Sequence, residues 1–190
     1  KNMPESTRRD FVQKCVNLLH EMNRIKQQGL RIMYVDETLF GKRSLVQRDW
    51  ANKNSNLTVN QEDVCQNYRN VVAAITEDGG VYHTMIQDDP FKGSDFQYFV
   101  HTLSQKMNGE PFALFMDGAS IHKDRDVKKD YIELNITPIL NVAYSPEFNP
   151  IEAVFSKVKR IYCNRRLNHL VNKVFFNVER EIKNSFKSID

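Results

Sequence analysis

Three acids in this chain stand where their type and setting could do chemistry. Asp36 follows the apolar run Ile32-Met-Tyr-Val35, and Asp117 follows Phe112-Ala-Leu-Phe-Met116. Glu152 closes the stretch Ser145-Pro-Glu-Phe-Asn-Pro-Ile-Glu152. An acid directly after an apolar strand lies at the strand end, where open α/β sheets form their sites. Aspartate also caps turns, so either one alone fits a structural role. Glu152 has a structural role open to it as well. Asn149 suits a helix N-cap and Pro150 the first helical residue, which makes Glu152 third and resembles a capping box. Considered together, the three acids point elsewhere. Packed close, carboxylates repel and their pKa values rise. A hard divalent cation removes that penalty. An all-oxygen set, with no Cys or His at zinc spacing, favours Mg²⁺ or Mn²⁺ over Zn²⁺. Two such ions about 3.5–4 Å apart would clamp a phosphoryl transfer, one at the attacking oxygen and one at the leaving oxygen.

These side chains need a scaffold, and the apolar pattern predicts one. Residues 6–28 read as a helix with Phe11, Val12, Cys15, Leu18, Leu19, Met22 and Ile25 at three- and four-residue steps, stopped by Gly29. Residues 30–36 read as a strand. Residues 47–68 are polar and Asn-rich and read as a long loop or insertion. Residues 69–76 and 80–87 flank a Gly-containing turn and predict a hairpin. Ser94 is the expected cap of a helix over about 95–107. Residues 111–116 form a continuous apolar run, as expected of a strand buried on both faces. A helix over 124–134, a strand over 136–140 and helices over 149–164 and about 169–187 complete the chain. The helix after Pro150 carries the stripe Ile151, Val154, Phe155, Val158 and Tyr162. Glu152 lies beside that stripe, whereas Glu147 sits between two prolines with its direction less constrained. The order of elements predicts an α/β fold, a mixed sheet covered by helices on both faces.

Length and composition fit one domain of 190 residues, with 41% hydrophobic and 27% charged residues. No apolar run has the length of a membrane span, and no membrane partner is expected. The chain starts at Lys1 and reads as a piece cut from a longer one. Cys15, Cys65 and Cys163 are odd in number and far apart, as expected of free thiols in a reducing compartment. Net charge is only +3, but Lys157, Lys159, Arg160, Arg165, Arg166, Lys173, Arg180, Lys183 and Lys187 crowd the C-terminal third. A basic end attracts phosphate, although a solvated helix face has the same composition.

Three blocks carry a resemblance: Val35-Asp-Glu-Thr38, Met116-Asp-Gly-Ala-Ser-Ile-His122 and Tyr144-Ser-Pro-Glu-Phe-Asn-Pro-Ile-Glu152. In this order, and with 34 residues between Asp117 and Glu152, they resemble the catalytic blocks of DDE transposases of the mariner superfamily over roughly residues 30–165. The resemblance implies a ribonuclease-H-like, mixed five-stranded sheet flanked by helices, in a single catalytic domain over 1–190. Within it, residues 1–29 would end a linker, 30–165 would form the core with an insertion at about 47–68, and 166–190 would form a C-terminal helix. The N-terminal DNA-binding domain of relatives is absent from this stretch.

The implied catalytic and metal-binding residues are Asp36, Asp117 and Glu152, holding two Mg²⁺ or Mn²⁺ ions. Asp36 would bridge both ions, and Glu147 matches a variable position. The implied activity is hydrolysis of a phosphodiester at transposon ends, followed by attack of the freed 3′-OH on target DNA. His122 would orient a metal-bound water or contact DNA, unless it only bonds at the start of the next helix. Asn149 would touch DNA or serve as cap alone. Lys157, Lys159, Arg160, Arg165 and Arg166 would hold phosphates. Arg48 and Trp50 lie where relatives carry an insertion that touches a partner subunit or DNA. Many relatives have Asn where Gly118 stands. DNA is the expected partner, a homodimer the expected assembly, and the nucleus (or a bacterial nucleoid) the expected location. A domesticated nuclease for DNA elimination would carry the same site. The intact acids argue against a catalytically inactive DNA-binding derivative.

Overall fold

A computed structural model of the chain describes residues 5–41 and 68–189. Arg48, Trp50 and all of the expected 47–68 insertion except Tyr68 lie outside the described residues. In chain order the elements are α1 (Glu5–Gln27), β1 (Arg31–Phe40), β2 (Arg69–Ile75), β3 (Val81–Gln87), α2 (Gly93–Lys106) and β4 (Phe112–Met116), then α3 (Arg125–Glu133), β5 (Ile136–Leu140), α4 (Ile151–Val171) and α5 (Val178–Lys187). The sheet order is β3-β2-β1-β4-β5. The pairs β1–β2 and β2–β3 are antiparallel, and β1–β4 and β4–β5 are parallel. The expected hairpin turns where Thr76 N–H donates to Gly80 O at 2.9 Å and Gly79 takes φ 88°, a conformation that glycine adopts without strain.

Strand alternation divides the core in two. Ile32, Tyr34, Ala113 and Phe115 pack on one face with Leu18 and Ile25 of α1, the Ile151, Val154, Phe155, Val158 and Tyr162 stripe of α4, and Ile182 and Phe186 of α5. Met33, Val35, Leu114 and Met116 pack on the other face with Phe96, Phe99 and Leu103 of α2 and Val127 and Tyr131 of α3. All five residues of β4 are buried, as expected for a central parallel strand covered by helices. No described helix is long and apolar enough to cross a membrane. Neither Cys15 nor Cys163 is in a disulfide, and Cys65 lies outside the described residues.

Three boundaries differ from the sequence expectation. Strand β1 does not end at Asp36; it continues to Phe40 because antiparallel pairing with β2 holds residues Tyr34 to Phe40. Helix α2 starts at Gly93, and Ser94 lies inside it. The cap is Lys92, whose N–H donates to Asp95 Oδ2 at 2.8 Å. Helix α4 runs past residue 164 to Val171, so the last helix begins only at Val178. The break follows from Lys173 at φ 52° and from the Asn177 side chain, which caps Arg180 N–H at 2.9 Å. The expected boundary at residue 166 therefore falls within a continuous helix.

Phe115 is fully buried, with its ring 5.3 Å from that of Tyr34. Phe115→Ala should lower unfolding free energy by about 3–5 kcal/mol in chemical denaturation. A loss below about 1 kcal/mol would contradict the packing described.

Candidate active site

Strand register brings the first two acids together. Tyr34 pairs with Phe115 in the parallel β1–β4 ladder. Two residues further on come Asp36, still within β1, and Asp117, just past the end of β4. Strand β4 stops at Met116 while β1 continues, so the sheet opens beside Asp36. The chain after β5 crosses this opening, where Asn141 N–H donates to Met116 O at 2.8 Å. Helix α4 packs on the same sheet face, and its first turn carries Glu152. Asp36, Asp117 and Glu152 thus line one cleft of about 510 Å³, with Gly118, Ala119, Asn149 and the 141–146 loop forming the rest of its wall.

The two aspartates are held differently. Asp36 Oδ1 accepts the Glu37 N–H at 2.8 Å, and Oδ2 lies 3.5 Å from Asn149 Nδ2. Burial pushes the Asp36 carboxyl up to about 7, the nearby charges of Glu37, Asp117 and Glu152 add to the rise, and the Glu37 N–H only partly offsets it. Asp117 Oδ1 accepts the Ala119 N–H at 2.8 Å and lies 3.0 Å from His122 Nδ1. The His122 hydrogen bond is the main reason that the Asp117 carboxyl sits below its ordinary range. His122 Nε2 is 3.0 Å from Glu37 Oε1, so the ring bridges the two strands. Burial disfavours its charge, but the bonds to Asp117 and Glu37 outweigh burial and raise its pKa to about 9. Both ring nitrogens then donate. Phe96, 4.5 Å away between ring centroids, and Tyr131 Oη, which donates to His122 O at 3.2 Å, fix the residue in place. A Cβ at Gly118 would come within 3.0 Å of Lys123 Nζ, so the lysine tip crosses in front of this position.

The capping box expected at Asn149 and Glu152 does not form. The Asn149 N–H is taken by Pro146 O at 2.9 Å, which leaves the exposed Glu152 carboxylate to the cleft. Helical residues begin at Ile151 and not at Pro150. Glu147 is exposed and does not line the cleft.

Three of the residues expected to touch DNA are buried. His122 is 1% exposed, Asn149 4% and Arg166 2%. His122 is spent on Asp117 and Glu37, and Asn149 reaches Val35 O and Asp36. Arg166 bonds the Tyr162 side chain inside the α4 interface. Arg165 turns toward α5, 3.5 Å from Glu181 Oε2 and 3.0 Å from Ser188 Oγ. Lys159 Nζ lies 5.9 Å from the Phe40 ring centroid. Lys157 and Arg160 are exposed. Glu37 was not singled out from sequence. Its adjacency to Asp36 was the only signal, and strand alternation points it to the opposite sheet face, where His122 lies.

A family model described as DDE superfamily endonuclease matches residues 31–172. The chain belongs to the DDE superfamily of endonucleases. No curated protein sequence matches it. Among solved structures, this DDE domain is similar to the catalytic domain of Mos1 mariner transposase, with TM-score 0.60 and 15% identity over 96% of this chain and 80% of that one. It is similar to a chain of the Mos1 strand transfer complex, with TM-score 0.65 and 17% identity over 97% of this chain and 53% of that one. It also resembles the Mos1 catalytic domain solved with raltegravir and Mn, with TM-score 0.61 and 16% identity over 96% and 81% of the two chains. The DDE domain spans about half the length of the transposase chains in the paired-end and strand transfer complexes, 50% and 53%. The mixed five-stranded sheet with helices on both faces is the ribonuclease-H-like fold that the sequence blocks implied.

The donor set suits a hard divalent cation. Every acid in the cleft offers oxygen, and burial, with the charges of Glu37, Asp117 and Glu152 adding to it, makes an unpartnered Asp36 carboxylate costly. Among the described residues, no three His, Cys, Asp or Glu side chains close around a metal ion by themselves. An open set fits Mg²⁺ chemistry, in which one or two carboxylates share the ion with water and substrate phosphate.

Folding raises the Asp36 pKa above its ordinary value of 3.8, to about 7. The folded state therefore favours the protonated form. Asp36 carries no penalty below pH 4, and it destabilises increasingly as pH rises through about 7. In metal-free buffer, Asp36→Asn should stabilise the domain at pH 8 by on the order of 2 kcal/mol after discounting for solvent screening, and hardly at all at pH 4. Equal unfolding midpoints for variant and wild type at pH 8 would refute the cost of burying the Asp36 carboxylate.

Proposed function

We propose that the DDE domain is the catalytic domain of a cut-and-paste DNA transposase. The observation that carries this is the convergence of Asp36, Asp117 and Glu152, from β1, β4 and α4, on one open cleft. Asp36, Asp117 and Glu152 are the residues that would hold Mg²⁺ or Mn²⁺, with two ions per site. When bound, such ions polarise phosphoryl oxygens, lower the pKa of a nucleophilic water and stabilise charge on the leaving oxygen.

The chain's own residues do the positioning. The Ala119 N–H and His122 hold the Asp117 carboxylate ionised and aimed, and Glu37 keeps His122 charged. The Glu37 N–H and Asn149 orient the two oxygens of Asp36. Glu152 stands on the first turn of a helix anchored by Ile151 and Phe155, so its approach is fixed by the core. A phosphodiester at a transposon end is hydrolysed in the cleft, and the freed 3′-OH attacks a target phosphodiester in the same cleft. Both steps are in-line transfers that need no covalent enzyme intermediate. Lys157 and Arg160, exposed after Glu152 on α4, supply phosphate contacts along the backbone. Joining two DNA ends requires two such sites, and a homodimer on DNA provides them.

Calorimetry should detect Mn²⁺ binding to this domain, and Asp117→Ala should abolish it. In the full-length protein, Asp117→Asn should reduce metal-dependent strand cleavage by at least about 100-fold. Undiminished cleavage by Asp117→Asn would end the proposal. Replacing Lys157 by Ala should weaken DNA binding across sequences and reduce the salt slope of log K by about one, as measured by titration at several salt concentrations.

A further inference from the structure

Tyr144 has no part in the chemistry described so far. The residue is 99% exposed, and it belongs to neither core cluster. Its backbone is left-handed, at φ 60°. Glycine or asparagine takes that conformation at less cost than an aromatic residue. Among the described residues, two of the other three non-glycine residues with positive φ, Asn108 and Asn135, are indeed asparagines. Here a large ring stands in solvent on a backbone that disfavours it, and a strained residue of this kind at a site invites a functional explanation.

The mount under the ring is stiff. Asn141 Nδ2 donates to Ser145 O at 2.7 Å, and the Asn141 N–H donates to Met116 O at 2.8 Å at the end of β4. The Phe148 N–H reaches Ser145 O at 3.3 Å, Ser145 is buried, and Pro146 fixes the next φ. The loop lines the same cleft as Asp36, Asp117 and Glu152. It therefore holds an unburied aromatic face at the rim of the site, in register with the acids.

A rigid aromatic face beside a phosphate-handling cleft is a stacking platform, because every nucleobase presents a π face. A phosphodiester inside a duplex reaches acids that line a cleft more easily once a neighbouring nucleotide is unstacked. We propose that Tyr144 binds substrate by stacking on an unpaired nucleobase next to the scissile phosphate. The inference rests on the DNA-cleaving function proposed above. The ring face carries the contact, and the hydroxyl is dispensable.

The test uses the full-length protein with Mn²⁺ and end-labelled duplex oligonucleotides. Each duplex carries one 5-iodouracil, moved stepwise past the nicked phosphate, and is irradiated. Crosslinks should map to Tyr144 from a base within about two positions of the nick. Tyr144→Phe should nick at close to the wild-type rate, and Tyr144→Ala should nick about 10- to 100-fold more slowly. Mn²⁺ affinity and the unfolding midpoint should be unchanged in both variants. If wild type nicks but Tyr144→Ala nicks equally well, or the crosslinks map elsewhere, stacking is wrong and the proposed function stands. If Tyr144→Ala loses Mn²⁺ affinity together with nicking, the ring's role is structural and the inference is overturned. If wild type nicks no duplex in Mn²⁺ or Mg²⁺, the proposed function falls and this inference falls with it.

Discussion

Strands β1 and β4 run side by side in the same direction, so their C-terminal ends leave the hydrogen-bonded ladder together. Parallel pairing of this kind requires a long return connection, and here β2, β3 and α2 provide it. Because the ladder aligns Tyr34 with Phe115, it brings Asp36 and Asp117 to the same end of the sheet. A slip of one residue in β1 would send Asp36 to the opposite face. The buried side chains on both faces of these strands guard against that slip. The apolar core thereby fixes a pair of charged groups whose mutual repulsion would otherwise drive them apart.

Glu37, His122 and Asp117 show how this crowding is handled on one side of the cleft. His122 is almost completely buried and takes a carboxylate on each ring nitrogen. A buried cation between two anions offsets part of their repulsion, whereas the same imidazole without partners would stay neutral. Among the described residues, no such cation offsets the Asp36 charge. Asp36 keeps a raised pKa and depends on the N–H of Glu37 and the amide of Asn149 for orientation. The charge of Asp117 is partly balanced by a protein cation, and both carboxylates still line the cleft.

The periodic segments were legible in the sequence because burial writes them there. The apolar run before Asp117 and the Ile151-to-Tyr162 stripe gave β4 and the face of α4 directly, and the Gly-rich turn gave the β2–β3 hairpin. Ends were less legible. Strand β1 continues to Phe40 because a distant strand supplies hydrogen bonds, and nothing local to Glu37-Thr-Leu-Phe40 announces that. Ser94 had the chemistry of a cap, but Asp95 took that work by accepting from Lys92. The basic C-terminal residues were visible as a set, yet the set mixes exposed Lys157 and Arg160 with Arg166, which the α4 interface buries.

By itself, the sequence determined the three acids, their order and their spacing, and hence the DDE family and the type of ion they suit. Those properties reside in residue identity along one chain. Only the tertiary structure decided which neighbours each acid has. His122 meets Glu37 across 85 positions of sequence, and the direction that both take depends on strand alternation and helix packing. The same folding placed Tyr144 in solvent at the rim of the cleft while burying Asn149 five positions later. Exposure follows from which surfaces pack against each other, and packing is a property of the folded chain as a whole.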